Sequence, residues 1–193
     1  FPCTYCGARM FNQLYEGNGT YGRRRSIESV MKELRQIRDD GELNYIIFLD
    51  DTFTINHHWV ADFCQIFGEE LAIPFSLHAR VETVNEKMVH ALAKAGCRHI
   101  VYGVESGSPR VRREIMKRSA TNQRFIDVFN WTRDAGIMVT ANYIMGIPGE
   151  TREEMQETID LHHQLKPADF GYFVFYPYPG TALFGLCKEE GYL

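Results

Sequence analysis

The sequence predicts an α/β fold, a partial (β/α)6 TIM-like barrel with a mostly parallel sheet whose first strand lies ahead of residue 1. Three observations lead there. A unit of helix, glycine, apolar strand and polar loop recurs, with Asp40-Gly41, Ala95-Gly96 and Ala135-Gly136 at the same place in it. Strands that alternate with helices and read as continuous apolar runs imply a parallel sheet with right-handed crossovers. Five such strands are readable, and a sixth is expected just before Phe1, which suits an open barrel better than a complete eight-fold one.

Each element has its own signal. Ser26 can cap a helix with Ile27, Val30, Met31, Leu34 and Ile37 on one face, closed by Gly41 in the manner of a C-cap. Tyr45 to Leu49 reads as a buried strand. Asn56 opens a helix carrying Val60, Phe63, Cys64, Phe67 and Leu71, and a short strand from Phe75 to Ala79 follows Pro74. Asn85 starts a helix that Gly96 ends, followed by a strand from His99 to Val104. Pro109 fits the first turn of the next helix. A further helix spans about Asn122 to Ala135, and the strand Val139 to Met145 comes after Gly136. Thr151 and Glu154 form a capping box for a helix to about Lys166. The last strand is Gly171 to Tyr176, with a short helix after Thr181.

The chain has 193 residues, 45% of them apolar, enough for one well-buried core. No linker or low-complexity segment interrupts it, so residues 1–193 are expected to form a single domain. Its 21 basic and 25 acidic residues give a net charge of −4, which argues against a broad nucleic-acid surface. Arg23-Arg24-Arg25 reads as a solvated basic loop. There is no apolar run of membrane-spanning length and no signal-peptide pattern, so a cytoplasmic protein without a membrane partner is expected. The five cysteines, Cys3, Cys6, Cys64, Cys97 and Cys187, are too scattered for a secreted disulfide framework. Cys64 and Cys97 read as core residues. The adjacent pairs His57-His58 and His162-His163 point to different helix faces and make poor chelates.

Two features carry chemistry. The opening Phe1-Pro2-Cys3-Thr4-Tyr5-Cys6 sets two thiols on one tight loop, a spacing compatible with an iron–sulfur cluster, half a zinc site or a redox dithiol. No second Cys-x-x-Cys and no His pair at finger spacing follows to complete a closed zinc site. The second feature is a set of polar residues directly after the apolar runs, where parallel α/β folds place ligands. These are Asp50-Asp51-Thr52, Arg80 with Glu82, Glu105-Ser106, Asn142 with Gly146 to Gly149, and Tyr176 to Gly180. Any one of them could simply cap a helix or fill a loop; their presence at every strand end reads as a shared site.

The opening loop resembles that of the radical S-adenosylmethionine (SAM) enzymes, which reads Cys-x-x-x-Cys-x-x-Cys with an aromatic before the last Cys. Cys3, Tyr5 and Cys6 match the last three elements. The first Cys would stand ahead of Phe1, so the chain is expected to be a piece of a longer protein. The resemblance extends through residues 48–54, 103–107, 144–151 and 178–181 and is similar to the cobalamin-associated branch in particular, including Arg24 to Val30 with a one-residue offset. The Gly-x-Ile-x-Gly-x-x-Glu motif is only partly met: Asn142 replaces its first Gly and the acid is displaced to Glu150. The methylthiotransferase branch is alike in the barrel, but Ala8-Arg9-Met10-Phe11 departs from its pattern after the cysteines.

The resemblance implies cofactors and roles. Cys3 and Cys6 would bind irons of a 4Fe–4S cluster, with Tyr5 near the adenine of SAM. Asp50, Asp51 and Glu105 would face the SAM ammonium, and Lys117 its carboxylate. Asn142 would meet the ribose, Ile144 and Ile147 would wall the adenine, Tyr176 would line the site, and Arg80 and Glu82 would contact SAM or substrate. His78, at a strand end, could also touch ligand. The implied reaction is reductive cleavage of SAM to methionine and a 5′-deoxyadenosyl radical that abstracts hydrogen from a small-molecule substrate. An electron donor such as flavodoxin or ferredoxin would supply the electron, and cobalamin would be bound outside this segment. Methylation, cyclisation or dehydration would be the outcome. The alternatives are methylthiotransferase-like modification of tRNA or protein, and a non-catalytic nucleotide-binding barrel with a structural or redox Cys-x-x-Cys.

Overall fold

Side-chain caps start most helices, so the element order follows from short polar signals between apolar stretches. The computed structural model describes residues 1, 3–19 and 22–193; Pro2 of the opening hexapeptide lies outside that set. Helix α1 (Ala8–Leu14) follows the cysteine loop, and α2 (Ile27–Asp40) starts at Ser26, whose side chain accepts from the Ser29 N–H. Then come β1 (Ile46–Phe48), α3 (His57–Glu70), β2 (Phe75–Ala79), α4 (Glu86–Ala95) and β3 (Cys97–Glu105). A π-helical turn (Val111–Ile115) leads to α5 (Asn122–Asp134), β4 (Met138–Met145), α6 (Arg152–Leu165), β5 (Asp169–Val174) and α7 (Ala182–Glu189). Asn56, Asn85, Thr121, Thr151 and Thr181 cap α3 to α7, and Thr151 with Glu154 completes the capping box.

The sheet runs β1-β2-β3-β4-β5 with every neighbouring pair parallel, the arrangement expected from the alternating pattern. It is not closed. Its outer face carries Phe75, Leu77, Ile100, Tyr102, Ala141 and Tyr143, all fully buried against helices. An edge-to-face aromatic cluster of Phe48, Phe53, Phe63 and Phe75 joins α3 to the sheet. Cys64 and Cys97 lie in this core, and burial pushes both thiols up to about 12. Gly96 ends α4 at φ 106°, where a Cβ would also press on the Ile73 carbonyl at 3.2 Å.

Four local expectations change. The run Tyr45–Leu49 is an edge strand of three residues, with Ile47 62% and Leu49 76% exposed, because nothing pairs with its outer edge or covers its inner face among the described residues. The last strand starts two residues earlier than expected and is likewise an exposed edge. Gly41 is extended (φ −175°) and gives no left-handed cap. The helix expected at Pro109 winds as a π turn, in which Met116 N–H reaches back to the Val111 carbonyl. Helix α1 had no sequence signal of its own.

Candidate functional site

The C-terminal ends of the five strands converge on one cavity of about 1510 Å³, which the cysteine loop overhangs. Thr4 anchors that loop. Its hydroxyl donates to the Ile115 carbonyl at 2.6 Å, its N–H to the Met116 carbonyl, and its own carbonyl accepts from Leu183 N–H. Cys3 is buried and Cys6 exposed, and both line the cavity. Arg80 Nη1 donates to Cys3 Sγ at 3.1 Å, and the Ala8 N–H donates to Cys6 Sγ at 3.4 Å.

This donor chemistry fits an iron–sulfur cluster. Two cysteine sulfurs face one space, and each already receives an N–H, as sulfurs that carry cluster charge require. Among the described residues, Cys3 and Cys6 are the two cysteines that line this space. Cys64, Cys97 and Cys187 are buried elsewhere, and among the described residues no three His, Cys, Asp or Glu side chains form a metal-ligating set.

Beneath the loop lies a buried ionic network. Arg118, its side chain 1% exposed, donates Nη2 to Glu82 Oε2 at 2.9 Å and Nη1 to the Gly103 carbonyl at 2.7 Å. The same Nη1 reaches Glu105 Oε1 at 3.3 Å. Arg80 Nη2 donates to the other oxygen of Glu82 at 2.9 Å. Burial alone would raise the Glu82 carboxyl, but Arg118 and Arg80 hold it below its usual range. Burial pushes Glu105 above its usual range in spite of Arg118 and the hydrogen bond from Tyr5. Burial also pushes the Tyr5 phenol up, reinforced by the Glu105 charge. Glu105 sits at φ 71°, a backbone region uncommon for a side chain of this size, where the β3–β4 register slips. That turn folds its carboxylate back over Gly103, where a Cβ would collide with it.

The structure brings most of the sequence-selected residues together. Cys3, Tyr5, Cys6 and Arg80 line the cavity on the loop side; Asp50 and Asp51 line it after β1. Glu105, Asn142, Ile144 and Tyr176 line it from β3 to the end of β5, and His78 faces it from β2. Three positions differ. Glu82 holds the two arginines from behind the cavity wall. Ile147 is 2% exposed in a separate small core with Val111, Met116 and Leu183. Lys117 is exposed and does not line the cavity; Arg118, the next residue, does. Lys117 takes a left-handed backbone (φ 55°), and this turn places the following side chain inward. Glu105, expected to face the SAM ammonium, lines the cavity and also pairs with Arg118.

Sequence reading missed Arg118 and Gly103, although the neighbouring Lys117 and residues 103–107 are both singled out there. It also missed how the loops are held. Arg112, fully buried, donates to the Ser106 and Ala120 carbonyls and to Asn122; burial lowers its pKa to about 10. Arg110 pairs with both oxygens of Glu154 at 2.7 Å, and Ser108 donates to the same carboxylate. These bonds hold Glu154 down to about 2. Glu150 accepts from the Gly146 and Ile147 N–H groups, so the displaced acid of the glycine motif shapes its own loop.

A parallel, open α/β barrel thus carries a cysteine pair and an arginine–carboxylate network at its strand ends, beside one cavity. The chain belongs to the radical SAM superfamily, whose family model matches residues 1–162. Members of that superfamily use a 4Fe–4S cluster and SAM. Among relatives, an uncharacterised methyltransferase of Pyrococcus horikoshii is 34% identical over 186 residues, covering 95% of this chain and 39% of the relative. The cytidylyl-2-hydroxyethylphosphonate methyltransferase of Streptomyces wedmorensis is 25% identical over 199 residues, 99% of this chain and 36% of the relative. The fold matches the radical SAM methyltransferase TsrM of Kitasatospora setae, solved with cobalamin and a 4Fe–4S cluster, at a TM-score of 0.81 and 18% identity. That match covers 98% of this chain and 35% of the other. The chain therefore spans under two-fifths of the length of the curated relatives that it matches. Among the described residues, no helix is long and apolar enough to cross a membrane.

Proposed function

We propose that residues 1–193 act as a single catalytic barrel domain, which positions a 4Fe–4S cluster against SAM in a cobalamin-associated radical SAM enzyme whose outcome is methyl transfer. The observation that carries this is the convergence of Cys3 and Cys6 with the polar strand ends on one cavity. The methyltransferase relatives support the outcome, and the cobalamin-bearing neighbour shares the barrel.

When bound, the cluster and SAM supply reductive cleavage of the sulfonium to methionine and a 5′-deoxyadenosyl radical. The chain's residues do the rest. Cys3 and Cys6 each hold an iron, and Tyr5 lies beside the adenine. Asp50 and Asp51, exposed and facing the cavity, are the carboxylates left free to take the SAM ammonium. Asn142 meets the ribose, Ile144 offers an apolar wall, and Tyr176 borders the entrance. Glu82 and Glu105 with Arg118 and Arg80 supply the floor, two carboxylates against two guanidinium groups. A small-molecule substrate, a flavodoxin- or ferredoxin-like electron donor and a cytoplasmic setting complete the proposal.

The test is anaerobic reconstitution of the full-length protein with iron and sulfide, followed by SAM, a reductant and product analysis with and without cobalamin. Formation of 5′-deoxyadenosine or methyl transfer is expected. Iron uptake with neither product would reject the reading.

A further inference from the structure

One guanidinium at the mouth of the cavity is held from several sides at once. Arg80 follows β2, and its side chain is 16% exposed. Nη1 donates to Cys3 Sγ at 3.1 Å, and Nη2 to Glu82 Oε1 at 2.9 Å. The Phe1 ring lies over Cζ at 4.0 Å. Glu82 is itself fixed by two bonds from Arg118, so the carboxylate that orients Arg80 is held in turn. A planar fork locked on one edge presents its remaining N–H groups in a set direction. Nε is buried with no hydrogen-bond partner among the described residues. The two loop sulfurs are therefore held unequally. Cys6 receives a neutral backbone amide, and Cys3 receives a cation.

We propose that Arg80 is a positioning residue for the cluster: its N–H···S bond holds the Cys3 sulfur in place and stabilises the reduced, more negative state, raising the reduction potential. This rests on the reading of Cys3 as a cluster ligand. The reason is electrostatic. Reduction adds one electron from an external donor, and the added charge spreads onto the coordinating sulfurs. A partly buried cation that hydrogen-bonds to one of those sulfurs favours that state over the oxidised one. A backbone amide, as at Cys6, offers a dipole in place of a full charge. The Glu82–Arg118 pair keeps Arg80 in place as the charge changes.

The test uses full-length wild type, Arg80→Met and Arg80→Lys, each reconstituted anaerobically with iron and sulfide. Redox titration followed by electron paramagnetic resonance gives the midpoint potential; iron content and melting temperature are measured alongside. At the wild-type midpoint, Arg80→Met is expected to show an oxidised-to-reduced ratio about tenfold higher, equivalent to about 59 mV for a one-electron couple. Arg80→Lys, which keeps the charge but not the fork, should fall between. Equal midpoints in all three proteins overturn the proposal. If Arg80→Met holds no iron at an unchanged melting temperature, Arg80→Lys decides: a lowered midpoint or lost iron supports the proposal, and a wild-type midpoint overturns it. Lost iron with earlier melting in both variants makes Arg80 a residue of the fold, and the proposal fails. Wild type that takes up no iron overturns the reading of Cys3 itself, and this inference with it.

Discussion

Two groups of carboxylates face the same cavity and live under different physics. Glu82 and Glu105 lie on a buried floor, where Arg118 touches both and Arg80 touches one. Asp50 and Asp51 stand exposed after the edge strand β1, and among the described residues neither side chain has an ion-pair partner. From sequence the two groups look alike, as acids directly after apolar runs. The difference teaches that an acid at a strand end is free for a ligand only when the protein has not already supplied its cation. A central strand buries its end beside the next loop and must neutralise it; an edge strand leaves its end in water.

Breaking the floor should have the largest effect. Arg118→Met leaves Glu82 without its main partner and Glu105 without the guanidinium that pairs with it. Such uncompensated burial costs about 3–5 kcal/mol, a fall of about 6–20 °C in Tm for a chain of this size. Thermal melts of the cluster-free protein check it. An unchanged Tm would show that the floor is solvated and end the contrast.

The exposed pair should respond in the opposite coin. The double variant Asp50→Asn with Asp51→Asn is expected to weaken SAM binding by about 1.5–3 kcal/mol, the scale of hydrogen bonds to charged groups. Titration of SAM into reconstituted wild type and variant measures it; equal dissociation constants would remove both residues from the site.

A smaller effect sharpens the comparison through pH. Glu105 has a folded pKa above its ordinary value near 4.5. Between the two values the unfolded chain releases a proton that the folded chain keeps, so stability falls as pH rises across that window. Glu82 is depressed and works the other way: its stabilisation is present above its ordinary pKa and is lost as pH falls through the lower folded value. Glu105→Gln should therefore flatten the decline in Tm above pH 4.5 and leave the acid-side loss in place. A decline as steep as wild type would contradict the assignment. The smallest effect is on the stability of the double Asp variant, expected within about 0.5 kcal/mol of wild type, as for surface sites without partners.

The same contrast explains what was legible in the sequence. Strand β2 is found residue for residue, because Pro74 and Arg80 bound an apolar run buried in mid-sheet. The caps at Ser26, Asn56, Asn85 and Thr151 are equally readable, since one side chain satisfies a neighbouring N–H whatever the tertiary context. The strands at the two edges were mistaken for buried ones: Ile47 and Val174 have the composition of core residues, and only pairing order tells them apart. Position Arg118 needed the left-handed turn at Lys117, which no pattern of residue types reveals. The floor likewise rests on contacts between residues 36 apart in the chain, beyond any local window.

Thr4 adds a consequence in time. The cysteine loop opens the described chain, yet its docking contacts come from Ile115, 111 residues on, and from Leu183 near the other end. Contacts that close such long stretches form only after the intervening segments have ordered, because each demands its loop entropy in advance. The loop's seat therefore depends on the π turn and α7, both distant in sequence. A chain interrupted before α7 would lack the Leu183 N–H that holds the Thr4 carbonyl, and its cysteine loop would keep only the contacts from Ile115 and Met116.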